Sequence, residues 1–212
     1  MRWVLGKSQK DKDYKLENRL SKTLAPEIAN SAVSSALRGT GLVLAGSALV
    51  AVCSHITLPL WFTPVPLTLQ PFAVLLLGLF LTPRLAAATL GAYLLEGVAG
   101  LPVFAPGFAL GAGIAHLLGP TGGYLMSYPA AAMLVSWLRR RLSRGFGTAA
   151  LSAAAGNAVI LICGFVWLAV WTHTSFASAF ALAVIPFLPG DALKVLAAAG
   201  IVTGWGRTKW NR

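Results

Sequence analysis

The 212-residue chain is predicted to be an all-α integral membrane protein. The expected fold is a six-transmembrane-helix bundle with cytoplasmic N- and C-termini and an outer Gly/Pro-rich lid loop. Three observations lead there. The chain is 57% hydrophobic and 11% charged, with a mean hydropathy of +0.73, whereas soluble domains run near about 25% charged. From Gly41 to Gly206 only eight side chains are ionised. Five of these form two basic spots, Arg84 and the group Arg139, Arg140, Arg141 and Arg144, while Glu96, Asp191 and Lys194 sit inside apolar stretches.

Residues 1–40 hold eight Lys/Arg and four Asp/Glu and no apolar core, so they read as a basic cytoplasmic tail. They lack the apolar segment and cleavage site of a secretory signal. The acids Asp11, Asp13, Glu17 and Glu27 argue against an organellar transit peptide. The membrane domain is expected over 41–204, followed by a basic cytoplasmic C-terminus over 205–212. Apolar runs place its helices near 41–58, 68–82, 85–99, 122–138, 150–172 and 180–204. A crossing needs about 20 residues, and the second and third runs are shorter. Either protein buries part of them or the bilayer thins. Thr82-Pro83-Arg84 between them predicts a tight antiparallel hairpin, with proline stopping the helix.

Orientation follows from basic residues in short loops. With the N-terminus inside, the inner segments 1–40, 83–84, 139–149 and 205–212 carry sixteen of the seventeen Lys/Arg, and the remaining one is Lys194. Trp61, Trp167 and Trp171 then lie near the outer surface, and Trp137, Trp205 and Trp210 near the inner one, as an aromatic belt. This places the chain in the cell (cytoplasmic) membrane as a multi-pass protein. The uncharged segment 100–123 has ten Gly and Pro residues, too many for one long helix. It reads as a re-entrant loop or lid, tolerated at membrane depth only where protein buries it or a cavity hydrates it. A helix from Phe108 to Leu118 would be too short to cross.

Asp191 and Lys194 share one face of the last helix, roughly 5–6 Å apart at Cβ. A lone charge at a helix centre costs about 2.5–3.5 kcal/mol on insertion scales. The pair is read either as a structural or hydrated ion pair or as an acceptor and donor for a polar ligand, and intramembrane ionisable residues are functional candidates by default. Three roles stay open for Glu96: bonding the lid backbone, lining the cavity, or sitting protonated. Pro64 and Pro66 predict an extended entry to the second helix, where Thr68 and Gln70 offer polar groups to the cavity side. The glycine turn Gly119–Tyr124 is either an anion-binding helix start or a close-packed one.

The net charge of +11 lies in tails and loops, which excludes a nucleic-acid interface as its main meaning. His55, His116 and His173 lack metal-ligand spacing and read as interfacial, and Cys53 and Cys163 read as buried thiols. No metal or catalytic residue is expected. There is no GxxxxGK[ST] loop and no GxSxG, and Asp191 is the only aspartate after Asp13, so a two-aspartate protease lacks its second acid.

Four segments together resemble one family: PVPLTLQPFAVLLLGLFLTPRL (Pro64–Leu85), YLLEGVAGLPVFA (Tyr93–Ala105), LGPTGGYL (Leu118–Leu125) and PGDALK (Pro189–Lys194). They are similar to the BioY family, the biotin-specific S components of energy-coupling-factor (ECF) transporters, over about 41–204. Pro71 replaces a common threonine, and Pro106-Gly-Phe-Ala-Leu replaces a glycine run. The resemblance implies a non-enzymatic biotin-binding subunit without cofactors, energised by a separate transmembrane coupling protein and two ATPase subunits. It implies that Asp191 accepts a ureido N–H while Lys194 donates to the ureido carbonyl or the carboxylate, with Gln70, Phe104, the lid and Tyr124 as secondary contacts. An S component for another vitamin and an intramembrane hydrolase are the alternatives, and homo-oligomerisation is left open.

Overall fold

Proline and small polar residues decide where the helices begin, and tertiary hydrogen bonds decide where one of them breaks. The computed structural model describes residues 33–106 and 113–210. The chain divides into two units, Met1–Gly41 and Leu42–Arg212. Of the first, residues 33–41 are helical. Residues 1–32 of the expected tail, residues 107–112 of the expected lid and the last two residues lie outside the described residues.

Helix α1 runs Val33–His55, N-terminal to the expected 41–58. It stops short of 58 because Pro59 biases Leu58 away from helical backbone. Thr57–Leu58 instead forms β1, which pairs antiparallel with β2, Leu67–Thr68. Thr57 faces Thr68, and Leu58 faces Leu67. α2 spans Gln70–Phe80 with proline in its first turn, where a missing N–H leaves nothing unpaired. α3 spans Pro83–Val98, and its N-cap Thr82 accepts the Leu85 N–H at 3.4 Å. Pro83 and Arg84 are therefore helical rather than part of the turn, because the fixed φ of proline suits a first helical position.

The segment 100–123 contains α4, Ala115–Leu118. The helix considered from Phe108 is thus limited, among described residues, to these four. α5, Gly122–Arg141, packs against α2, α3 and α6, and α6 is Phe146–Thr172. At the α5–α6 contact a Cβ on Gly123 would meet the Cys163 carbonyl and Trp167, and one on Gly164 would overlap the Tyr124 ring. Trp167 Nε1 also donates to the Gly119 carbonyl at 2.8 Å. The glycine turn is thus a close-packed helix start.

The last expected helix, 180–204, is two helices. α7 spans Phe176–Ala183, a 3-10 turn covers Ile185–Phe187, and α8 spans Leu188–Trp210. Pro186 has no N–H to return to Leu182, so that carbonyl accepts from Thr63 Oγ1 at 3.0 Å. The Phe187 N–H bonds Val184, and the Ala183 carbonyl accepts from the Tyr124 hydroxyl at 2.7 Å. Side chains from distant segments thus satisfy the two carbonyls exposed by the break, as an apolar environment demands.

Among the described residues, three stretches are long and apolar enough to cross a membrane: Val33–His55, Phe146–Thr172 and Phe176–Trp205. α2 is shorter, about 16 Å at 1.5 Å per residue. One buried cluster joins Val50, Val74, Leu90, Tyr93, Tyr128 and Leu168; a second joins Leu75, Val135, Ala149, Val195 and Ala198.

Candidate ligand-binding site

The first turns of α2, α5 and α8 converge on one pocket, closed on the fourth side by the middle of α6. The space between its walls, together with the open solvent at its mouth, is roughly 800 Å³. Apolar walls come from Val65, Pro71, Phe104, Leu125, Ile160 and Phe187. Thr68, Gln70, Tyr124, Asp191 and Lys194 also line it. Segment 100–121 contributes Phe104, Ala105, His116, Pro120 and Thr121.

Asp191 and Lys194 are 4% and 8% exposed, so their charges are almost fully removed from bulk water. Lys194 Nζ donates to Asp191 Oδ1 at 2.8 Å. The other carboxylate oxygen, Oδ2, accepts from Asn157 Nδ2 at 3.1 Å. Each oxygen keeps lone-pair capacity for another donor, and Lys194 keeps further N–H groups. Asn157 Oδ1 is buried with no partner.

A second polar group lies at the start of α2. Gln70 Nε2 donates to Tyr93 Oη at 2.5 Å, and the Tyr93 hydroxyl donates to the Val103 carbonyl at 2.9 Å. Ser54 donates to the same carbonyl at 2.7 Å. Because the single Tyr93 proton goes to Val103, the Gln70 amide must present its nitrogen to Tyr93 and its oxygen elsewhere. That oxygen accepts weakly from Thr68 Oγ1 at 3.3 Å. The chain fixes Gln70 and tethers the loop that carries Phe104, whose ring packs edge-on against Tyr93 at 5.5 Å.

Six of the seven residues singled out from sequence thus line one pocket. Glu96 does not. It is half-buried on α3, and its Oε1 accepts from Ser47 of α1 at 2.9 Å. Of the three histidines read as interfacial, His116 lines the pocket against Phe104. Cys163 is exposed, not buried. Sequence reasoning missed Asn157, Tyr128 and Phe187. Asn157 was findable as the one amide or acid in the otherwise apolar α6.

A concave apolar pocket with a few convergent polar groups suits a small, mostly apolar molecule with polar ends. No group of three His, Cys, Asp or Glu able to hold a metal occurs among the described residues. Fold and pocket together define a membrane protein built to hold a small ligand. The BioY family model matches residues 25–209, and the chain belongs to that family. It is 42% identical over 135 residues to the probable biotin transporter BioY of Pyrococcus horikoshii, covering 64% of this chain and 76% of that one. It is 35% identical over 160 residues to the biotin transporter BioY of Thermotoga maritima, covering 74% and 90%. A crystal structure of the S-component for biotin from an ECF-type ABC transporter shares the fold, with a TM-score of 0.74 at 23% identity over 82% of this chain and 93% of that one.

Proposed function

We propose that this chain is the biotin-binding membrane subunit of an ECF uptake transporter. The observation that carries this reading is the buried Asp191–Lys194 pair on the wall of an apolar pocket, in a family whose relatives are named biotin transporters. Biotin is a urea fused to an apolar ring with an aliphatic acid tail. The urea offers two N–H donors and one strong acceptor. Asp191 accepts a ureido N–H through lone pairs not used by Lys194 or Asn157. Lys194 donates to the ureido carbonyl or to the tail carboxylate. Thr68, Gln70, Phe104 and Tyr124 supply secondary contacts, and Glu96 lies outside the contact set.

In this reading six segments cross the membrane, with α7 to α8 counted as one and both termini cytoplasmic. The basic residues then fall on the inner side. Gln70 opens a helix of about 16 Å, roughly half of the ~30 Å hydrocarbon core. That length fits a pocket at half depth, open outward, and the expected lid, 100–123, supplies Phe104, Ala105, His116, Pro120 and Thr121 to its wall. The chain performs no catalysis. A separate coupling protein and two ATPase subunits supply the energy.

The reading is tested in cells unable to make biotin that carry this chain with its coupling protein and ATPase pair. Saturable labelled-biotin uptake, competed by unlabelled biotin and by no other vitamin, is expected. The chain should also co-purify with those subunits from native membranes. Competition by a different vitamin alone would assign the chain to that vitamin.

A further inference from the structure

Three tyrosines stand at or beside the pocket, and their hydroxyls are not equivalent. Tyr93 donates its single proton to the Val103 carbonyl, and Tyr124 donates its own to the Ala183 carbonyl. Both are committed to holding backbone. Tyr128 lies one turn beyond Tyr124 on the same face of α5. It lines the pocket and is 2% exposed, and its hydroxyl has no hydrogen-bond partner among the described residues. Among the described residues the buried side-chain atoms without a partner are His116 Nδ1 and Asn157 Oδ1, so the unpartnered Tyr128 oxygen opens onto the pocket. A phenol in such a place is free to bond a group that arrives with the ligand.

The geometry also indicates which ligand group it meets. Tyr128 is the seventh residue of α5, and Lys194 is the seventh of α8. Both therefore lie about 9 Å along helices whose first turns form the pocket, at its inner end. Asp191 sits one turn from Lys194, with both carboxylate oxygens bonded to N–H donors in a buried site. Its remaining lone pairs accept N–H groups, which the urea carries and the acid tail lacks. The urea, not the acid tail, is the end that suits this level, and its oxygen is the acceptor within it.

We infer that Tyr128 is a specificity-determining ligand contact whose hydroxyl donates to the ureido oxygen. This inference rests on the biotin reading above. Its test is Tyr128→Phe, studied in the full chain by equilibrium binding of biotin and of biotin methyl ester, and by thermal unfolding without ligand. The variant should bind biotin about tenfold more weakly, the factor that corresponds to 1.4 kcal/mol. The ester should show the same factor, because its urea is intact. The ligand-free melting temperature should be unchanged, since the hydroxyl bonds no other part of the chain; a merely structural role predicts a fall. Biotin affinity within twofold of the unmodified chain, a loss that disappears with the ester, or a drop in melting temperature accompanying the loss would each overturn the inference. If the unmodified chain binds no biotin, the biotin reading itself fails and the inference fails with it.

Discussion

Replacing Lys194 by methionine should unfold this protein more readily than replacing Lys194 and Asp191 together. The two groups are 2.8 Å apart and nearly free of solvent. At an effective dielectric of about 20 their gross attraction is about 6 kcal/mol. Desolvation of both ions offsets most of that, so the intact pair contributes little net stability. Removing the ammonium alone leaves a buried carboxylate held only by the Asn157 amide at 3.1 Å. Breaking such a pair from one side costs about 3–5 kcal/mol. Asp191→Asn leaves the ammonium stranded and should cost about as much by the same reasoning. The double variant Asp191→Asn/Lys194→Met removes both charges and should lose less than either single change. The assay is unfolding in detergent, followed by fluorescence of the chain's seven tryptophans. Single-variant losses that simply add, or a Lys194→Met protein as stable as the parent, would refute the reasoning.

Other outcomes follow from the same packing. Gly164→Ala gains helix propensity, yet its new methyl overlaps the Tyr124 ring; overpacking of this kind costs about 1–3 kcal/mol, and unfolding together with biotin titration should show both stability and affinity reduced. Thr63→Val leaves the Leu182 carbonyl without its donor, so stability should fall by about 1–3 kcal/mol in the same unfolding assay, while the preference for biotin over its methyl ester is unchanged. Glu96→Gln keeps a group able to accept from Ser47 and lies off the pocket; its biotin affinity by titration should stay within about twofold of the parent, under the ~1 kcal/mol typical of a single hydrogen bond.

Much of this architecture could be read from residues whose effect is local. Pro71, Pro83 and Pro189 mark first turns, because a proline there loses no intrahelical bond. Asp191 and Lys194 stood out because two charges in an apolar helix demand an explanation. The break at 184–187 was not legible, although Pro186 is visible in the sequence. Its stability comes from Thr63 and Tyr124, far away in the chain, and a continuous apolar run hides such partners. Asn157 and Tyr128 were missed for a related reason. An amide or phenol in an apolar helix is ordinary, and becomes informative only when the fold places it against a carboxylate or on a pocket wall. Glu96 carried the same sequence signal as Asp191, but packing turned it toward Ser47 instead.

The central claim is that Asp191 and Lys194 hold biotin in the pocket formed by α2, α5, α6 and α8. Calorimetric titration of the purified chain in detergent with biotin, run beside Asp191→Asn, tests it most directly. The account predicts one saturable site per chain, of micromolar affinity or tighter, in the unmodified protein and its loss in the variant. Absence of saturable binding, or equal binding by both proteins, would contradict it.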